Sequence, residues 1–325
     1  MTHTDATLPN RIAILMPLMN DWESFHLLLA DLNTQLADIA QAVDVHIVDD
    51  YSIPQTIPTV KTTKIENIYC TRLVRNLGHQ RAIAIGLVYL ATHYDYHQVI
   101  VIDADGEDCP ADVAKMIAMS ADYPDNVIVA QRERRSEGWV FALFYRLYKA
   151  TFRSLTGKLI DFGNFCLIPK NALAGLVYHA GLWNHLAATV VASRVPITKM
   201  PANRCERYAG QSSMNFTGLV IHGLSAVSIF LDQIAVRMII LAVIASILVG
   251  LGLVAVVMIR LFTDLAIPGW ATSATGLLLL ILGQTVLLIL FLTFSILQQR
   301  STVQIVPKNE VLQFVDSHQA LLIVG

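Results

Sequence analysis

Ile100-Val101-Ile102-Asp103-Ala104-Asp105-Gly106-Glu107-Asp108 is an apolar run that ends in four carboxylates. Such a run reads as a buried strand whose carboxyl end delivers acids to one edge of a sheet. The stretches on either side repeat the pattern. Arg11 to Met16 and Val43 to Val48 are apolar strands ended by Pro17 and by Asp49-Asp50, and Val127 to Ala130 runs into Gln131 to Arg135. Trp22 to Ile39, Gly78 to Thr92 and Ala111 to Met119 have helical periodicity between them. Strands that alternate with helices imply an α/β fold with a mostly parallel, helix-covered sheet. In such sheets ligands bind outside the carboxyl ends of the strands, where Pro17 to Asp21, Asp49-Asp50, Asp103 to Glu107 and Gln131 to Arg135 gather.

No Gly-x-Gly-x-x-Gly follows the first strand and no Gly-Lys-Ser/Thr loop is present, which disfavours a dinucleotide fold or a P-loop nucleotidase. The acidic cluster offers another way to hold phosphates. Asp103, Asp105 and Glu107 alternate, so in an extended segment they project to one side and supply the hard oxygens that Mg or Mn prefers when shared with a diphosphate. Helix capping accounts for Asp108, with Pro110 at the first helical position and Asp112 in the first turn, but it leaves the other three acids unexplained. An EF-hand is excluded, because Asp108 stands where its glycine belongs and Ala114 where its final glutamate belongs. Arg72, Arg75, Asn76, His79 and Arg81 crowd the start of the second helix, where Gly78 lets the backbone turn and free amides can meet an anion. His79 alone is a weak signal.

The chain has 325 residues, 54% hydrophobic and only 15% charged, which is too apolar for an ordinary soluble enzyme. Charge nearly vanishes after Arg237. Met238 to Ile259 is an uncharged run long enough, at roughly 33 Å as a helix, to cross a bilayer, and Ala274 to Leu297 is a second. The short connection with Pro268-Gly269 makes them a membrane hairpin. Arg204, Arg207, Arg237, Arg300 and Lys308 flank its open side, which puts the large domain and the tail in the cytoplasm, at the inner membrane. Met1 to Asn10 is polar and lacks the core of a signal peptide. Trp139 to Leu155 and Asn215 to Ile234 read as amphipathic stretches suited to a lipid surface or to packing on the sheet. Ser246 and Gly250 allow close helix approach within the hairpin or in a homo-oligomer. Cys70, Cys109, Cys166 and Cys205 have no paired spacing, and four reduced thiols are expected. A net charge of -2 with no long basic stripe argues against nucleic acid as a partner.

Arg75-Asn76-Leu77-Gly78-His79-Gln80 before a helix, Asp103-Ala104-Asp105, Phe144-Tyr145-Arg146, Asp161 to Phe165 and Arg207 to Ser212, followed by a hairpin, form an ordered set. In that set the chain resembles the polyisoprenyl-phosphate glycosyltransferases of glycosyltransferase family 2, relatives of dolichol-phosphate mannose synthase and the bactoprenol glucosyltransferases. The resemblance implies a GT-A domain over residues 11–214, a juxtamembrane helix over 215–237, two membrane helices over 238–259 and 274–297, and a tail over 298–325. It implies inverting transfer from a UDP- or GDP-sugar to a polyprenyl phosphate, undecaprenyl phosphate above all, with Asp103, Asp105 and Glu107 holding Mg or Mn. Pro17, Asn20, Asp21, Asp49, Asp50, Arg75, Asn76 and Gly78 would line the donor site. Arg132, Arg134, Arg135, Arg204, Arg207 and Ser212 would handle the donor diphosphate and the acceptor phosphate, and Asp161 matches an aspartate near the sugar.

The sequence departs from the family's pattern at Tyr51, where a glycine is usual, at Glu107, where a glutamine is usual, and at Ser213, where a basic residue is common. The polymer-exporting members are disfavoured, because Gln131 is followed by Arg134 and Arg135 without their Gln-x-x-Arg-Trp motif. Two further readings are a same-fold transferase acting on another lipid, such as a glycerolipid, and a non-catalytic membrane-anchored interaction protein.

Overall fold

The computed structural model describes residues 11–53, 62–132, 152–209, 216–263, 267–302 and 304–321. They fall into two compact units, one of residues 1–146, 158–229 and 305–325 and the other of 147–157 and 230–304.

The larger unit is built on eight strands in the order β7-β5-β6-β4-β1-β2-β3-β8. The strands are β1 (Arg11–Leu18), β2 (Ala42–Asp49), β3 (Ile65–Leu73), β4 (Gln98–Val101), β5 (Val127–Arg132), β6 (Cys166–Pro169), β7 (Ile197–Ala202) and β8 (Val315–Ala320). β1 pairs in parallel with β2 and β4, β2 with β3, and β5 with β7, while β6 and β8 run antiparallel to their neighbours. The carboxyl ends of six strands therefore share one edge, and the residues just before β6 join them there.

Alternation along β1 sends its side chains to two cores. Ile12, Ile14 and Met16 pack beneath α1 (Trp22–Gln35) and α3 (Pro110–Asp122), whereas Ala13 and Leu15 pack beneath α2 (His79–His93). α1 contributes Phe25, Leu28, Leu29 and Leu32, the i, i+3, i+4, i+7 stripe of a helix with one dry face. Gly86 sets the approach of α2 to the sheet: a Cβ there would lie 2.5 Å from Leu15 Cδ1 and 2.8 Å from Val48 Cγ2. Beyond β6 come α4 (Lys170–Leu176), a 3-10 turn over Ala180–Trp183, α5 (Leu186–Ala192) and, after β7, α6 (Phe216–Ser228).

The tail, which suggested no structure from its composition, supplies the edge strand β8, preceded by the short α9 (Pro307–Glu310). His318 on β8 bonds Thr71 Oγ1 through Nδ1 at 2.8 Å and Tyr94 Oη through Nε2 at 2.9 Å, and it stacks on Tyr69. Beneath it His46 meets Tyr96 Oη at 2.7 Å, and Tyr96 donates to Asp44 at 2.7 Å, where Arg11 completes a buried ion pair. Burial first, then His318 and Arg11, push His46 well below its ordinary range.

The smaller unit is dominated by α7 (Leu231–Phe262) and α8 (Trp270–Ser301), each 32 residues long and apolar enough to cross a membrane. Ser246 Oγ lies 3.0 Å from Thr285 Oγ1 between them, and Arg300 pairs with Asp232 at 3.6 Å. Ala242 and Val256 are the only buried residues of α7, and α8 has none. These helices present leucine, isoleucine and valine outward, as suits a hydrocarbon environment. The amphipathic stretch expected over 215–237 is not one helix: α6 stops at Ser228, and α7 begins at Leu231 and already includes 231–237. Sidedness alone does not reveal this break, because the apolar positions stay in phase across it.

Candidate active site

Leu18 ends β1 and the chain turns at Asn20, whose φ of 58° is left-handed, a conformation asparagine tolerates better than most residues. Asn20 N–H donates to Ser52 Oγ at 2.8 Å and Asn20 Oδ1 accepts from Ile53 N–H at 2.8 Å, so the ends of β1 and β2 are laced together. Asp21 accepts from Ser24 Oγ at 2.6 Å at the head of α1. At the end of β2, the buried Asp49 accepts from Ser52 N–H at 2.8 Å and from Arg72 Nη1 at 3.0 Å. Arg72 also lies over the Tyr51 ring, 5.1 Å from its centroid. Tyr51 takes a left-handed φ of 69° in this turn, and its ring receives this cation–π contact.

Asp50 is buried and accepts from the amides of Leu77 at 2.7 Å and Gly78 at 2.8 Å. Its carboxyl is nonetheless pushed upward, by burial first, while those two amides pull it down. Gly78, at φ 94°, closes the turn into α2, and Arg75 and Asn76 stand exposed beside it, Asn76 reaching Met19 Sδ at 2.9 Å. Pro17 is a paired residue of β1, opposite Val48. The predicted donor residues thus share one rim, where Asp49 and Asp50 hold the backbone of that rim in shape.

The acids after β4 each meet a basic side chain. Asp103 Oδ1 lies 3.2 Å from His79 Nε2. Asp105 pairs with Arg207, and Glu107 pairs with Arg204. Arg207 also lies 3.9 Å from Asp21 and 4.0 Å from Glu107, so it stands among three carboxylates. Glu107 N–H folds back onto Asp105 Oδ1 at 3.0 Å. Burial pushes Asp105 upward, more than Arg207 offsets. For His79, burial pulls downward, but Asp103, Asp105 and Asp50 pull upward by more, so the net shift is up.

The segment after β7 reaches these acids through its backbone. Cys205 N–H donates to Glu107 O at 3.0 Å, Tyr208 N–H donates to Asp105 O at 3.1 Å, and Arg204 forms an isolated bridge with Asp108. Gly106 has φ of 83°, and a Cβ on it would lie 2.1 Å from Tyr208 Cδ2, so only glycine fits under that ring. Here the expectation of four free thiols fails. Cys109 and Cys205, 96 positions apart, form a disulfide, and only Cys70 and Cys166 are free, both buried. Sequence spacing carried no hint of it, because the pair is brought together by the pairing of the acidic loop with the end of β7.

Asp161, just before β6, accepts from Gln131 Nε2 at 2.6 Å and Lys199 Nζ at 2.8 Å through Oδ2. Its Oδ1 is buried and has no hydrogen-bond partner among the described residues. Gln131 and Asn164 fall within the stretches expected at this edge, whereas Lys199 joins the site without having been singled out, since a lysine in a strand carries no motif. Arg132 is described by its backbone alone, paired with Ala202 at the end of β5. Arg134, Arg135 and Ser212, the Phe144-Tyr145-Arg146 motif, Ser213 and the larger part of the stretch from Trp139 to Leu155 lie outside the described residues.

The donor set of Asp103, Asp105 and Glu107 is chemically that of a hard divalent cation. Among the described residues no three His, Cys, Asp or Glu groups converge on one point. Arg207 and Arg204 supply the positive charge there, Arg207 on Asp105 and Arg204 on Glu107. The fold defines an α/β protein of the class that places its ligands outside the carboxyl ends of its strands, the edge where these charged residues gather.

The chain matches the model of Glycosyl transferase family 2 over residues 13–175 and belongs to that family. It is a glycosyltransferase with the mostly parallel sheet typical of GT-A enzymes. Among solved structures it is similar to glucosyl-3-phosphoglycerate synthase from Mycobacterium tuberculosis, in complex with Mn2+, UDP-glucose and phosphoglyceric acid, at 14% identity and a TM-score of 0.47 over 70% of this chain and 80% of that one. Mannosyl-3-phosphoglycerate synthase from Rubrobacter xylanophilus matches at 13% identity and 0.47, over 68% and 73%. The 1–349 segment of S. aureus TarS matches at 12% identity and 0.39, over 60% of this chain and 59% of that one. The chain therefore spans under two thirds of the TarS segment.

Proposed function

We propose that this glycosyltransferase moves a sugar, with inversion, from a UDP- or GDP-linked donor to a polyprenyl phosphate, undecaprenyl phosphate first among them, at the cytoplasmic face of the cell membrane. The observation that carries the proposal is that one chain joins a family 2 domain to two 32-residue apolar helices. A second observation supports the sidedness. β8 follows both helices in sequence yet pairs with β3 of the same sheet, which suits a hairpin with both ends on the side of the catalytic unit.

The residues divide the work by charge. Asp103, Asp105 and Glu107 would hold Mg or Mn, which when bound offsets charge on the leaving diphosphate. Arg207 and Arg204, released from the acids, are then free to meet phosphate oxygens as charge-assisted donors. A phosphate monoester has a second pKa of about 6, so the acceptor is already largely a dianion at neutral pH and needs little help losing a proton. Asp161 is consistent with this economy. With Lys199 and Gln131 on one oxygen, it is built to accept a sugar hydroxyl on the other rather than to take a proton.

The test is transfer of radiolabelled sugar from a panel of UDP- and GDP-sugars to undecaprenyl phosphate in purified membranes, with wild type beside Asp105→Ala. Label in the lipid that disappears with the variant or with chelator supports the reading. Transfer to other lipids in its absence would replace the acceptor.

A further inference from the structure

A pair of histidines beside the acidic cluster has no part in the site described above. His185 is 4% exposed and precedes α5, and His222 lies on α6, with the two Nε2 atoms 3.1 Å apart and the ring centroids 4.4 Å apart. The pair is tied to the acids by a short relay. Leu186 N–H donates to Gln80 Oε1 at 2.8 Å, Gln80 Nε2 donates to Asn164 Oδ1 at 3.0 Å, and Asn164 Nδ2 lies 3.1 Å from His79 Nε2, which faces Asp103.

Hydrogen-bond logic fixes the protons of this pair. Ala188 N–H can only donate, so His185 Nδ1, 3.3 Å away, accepts and carries no hydrogen. The neutral ring then has its hydrogen on Nε2 and donates it to His222 Nε2. A neutral His222 must carry its own hydrogen on Nδ1, and that atom has no hydrogen bond to a described residue and is not buried. Both rings are held neutral. Burial first, then His222 and His79, bring His185 down to about 3, and burial first, then His79, lowers His222 against a smaller opposing pull from Asp103. The pair therefore leaves one N–H, that of His222 Nδ1, on α6, the helix that ends at Ser228, three positions before α7 begins.

We propose that His222, its tautomer fixed by His185, donates a hydrogen bond from Nδ1 to the phosphate of the lipid acceptor. The inference rests on the polyprenyl-phosphate reading. His222 is then an acceptor-binding residue and His185 a positioning residue that acts through it. The shared chemistry is a phosphate monoester, carried either by a prenyl chain or by free inorganic phosphate.

The experiment uses the full chain in detergent and titrates a short-chain prenyl phosphate, inorganic phosphate and UDP separately, following each by 31P NMR, with wild type, His222→Phe, His222→Asn and His185→Phe. Asparagine places an N–H near the position of Nδ1, whereas phenylalanine has none. Loss of a hydrogen bond to a charged group predicts weakening of prenyl phosphate binding by about tenfold to a hundredfold in His222→Phe, with UDP binding unchanged. His222→Asn is expected to recover most of that loss, and His185→Phe to show a smaller one. Equal prenyl phosphate affinity in wild type and His222→Phe overturns the inference, as does failure of His222→Asn to recover while UDP still binds. Inorganic phosphate binding as tightly as the prenyl ester overturns the lipid assignment. Prenyl phosphate that binds through His222 while no sugar is transferred upholds the inference and sinks the transfer reading instead.

Discussion

Acidification is expected to loosen the docking of the tail. His318 holds β8 to the sheet through Thr71 and Tyr94, and burial first, with His93 second, lowers its pKa to about 4. A histidine whose folded pKa lies below the unfolded value of about 6.5 is protonated first in the undocked strand, so stability is intact above pH 6.5 and falls as pH drops toward 4. The full shift corresponds to about 3 kcal/mol, of which about 2 kcal/mol is lost by pH 5. His46, whose ring is shifted the same way, adds to the effect in the same direction. The assay is hydrogen exchange with mass spectrometry on the detergent-solubilised chain at pH 7.5 and pH 5, corrected for the intrinsic pH dependence of exchange. Peptides covering residues 315–320 and 65–73 should lose about 30-fold in protection, the equivalent of that 2 kcal/mol. His318→Gln keeps a polar side chain but cannot titrate, and should flatten most of the step. An equal pH step in His318→Gln, or no step in wild type, would refute the reasoning.

Three further outcomes are expected. Gly106→Ala forces a left-handed residue against the Tyr208 ring and should cost about 1–3 kcal/mol locally, reducing transfer severely, whereas Gly163→Ala, with open space at its Cβ, should be mild; thermal unfolding and sugar transfer read both. Arg207→Gln removes a competitor for Asp105 and should tighten Mn2+ binding by about tenfold, followed by electron paramagnetic resonance, while slowing transfer; unchanged Mn2+ affinity would mean that Arg207 does not compete. Maleimide labelling of the denatured chain should count two thiols without reductant and four with it; four in both would mean that Cys109 and Cys205 are a dithiol.

The strands and helices that frame the site were legible because their signals are local. Arg11, Ala42 and Val127 begin strands whose apolar runs break at polar residues, and Trp22, Gly78 and Pro110 stand at or beside helix starts. The two long apolar helices were plain from charge depletion alone, although they extend beyond the uncharged cores into Leu231 and Ser301. What stayed hidden depends on partners distant in sequence. β3 and β8 alternate polar with apolar residues only weakly, and β8 is a strand because the outer edge of β3, itself paired with β2, receives it. The acids at 103, 105 and 107 were visible as a group. Their basic partners, His79, Arg204 and Arg207, come from a helix start and from the segment after β7, and only the folded sheet edge brings them together. Nothing in the sequence singles out His222, which meets His185 only in the fold.

The position of β8 also sets a schedule for synthesis. β3 is complete at Leu73, but its outer edge is not covered until Val315 has been made, 242 residues later. At about 5–20 residues per second that is roughly 12 to 48 s during which a row of unpaired N–H and C=O groups stands open on an otherwise assembled half-sheet. In that interval the ribosome also makes both 32-residue apolar helices. A protein so ordered is most exposed to wrong strand pairing while it is being made, and a chain that stalls or is cut anywhere before residue 315 leaves that edge open permanently.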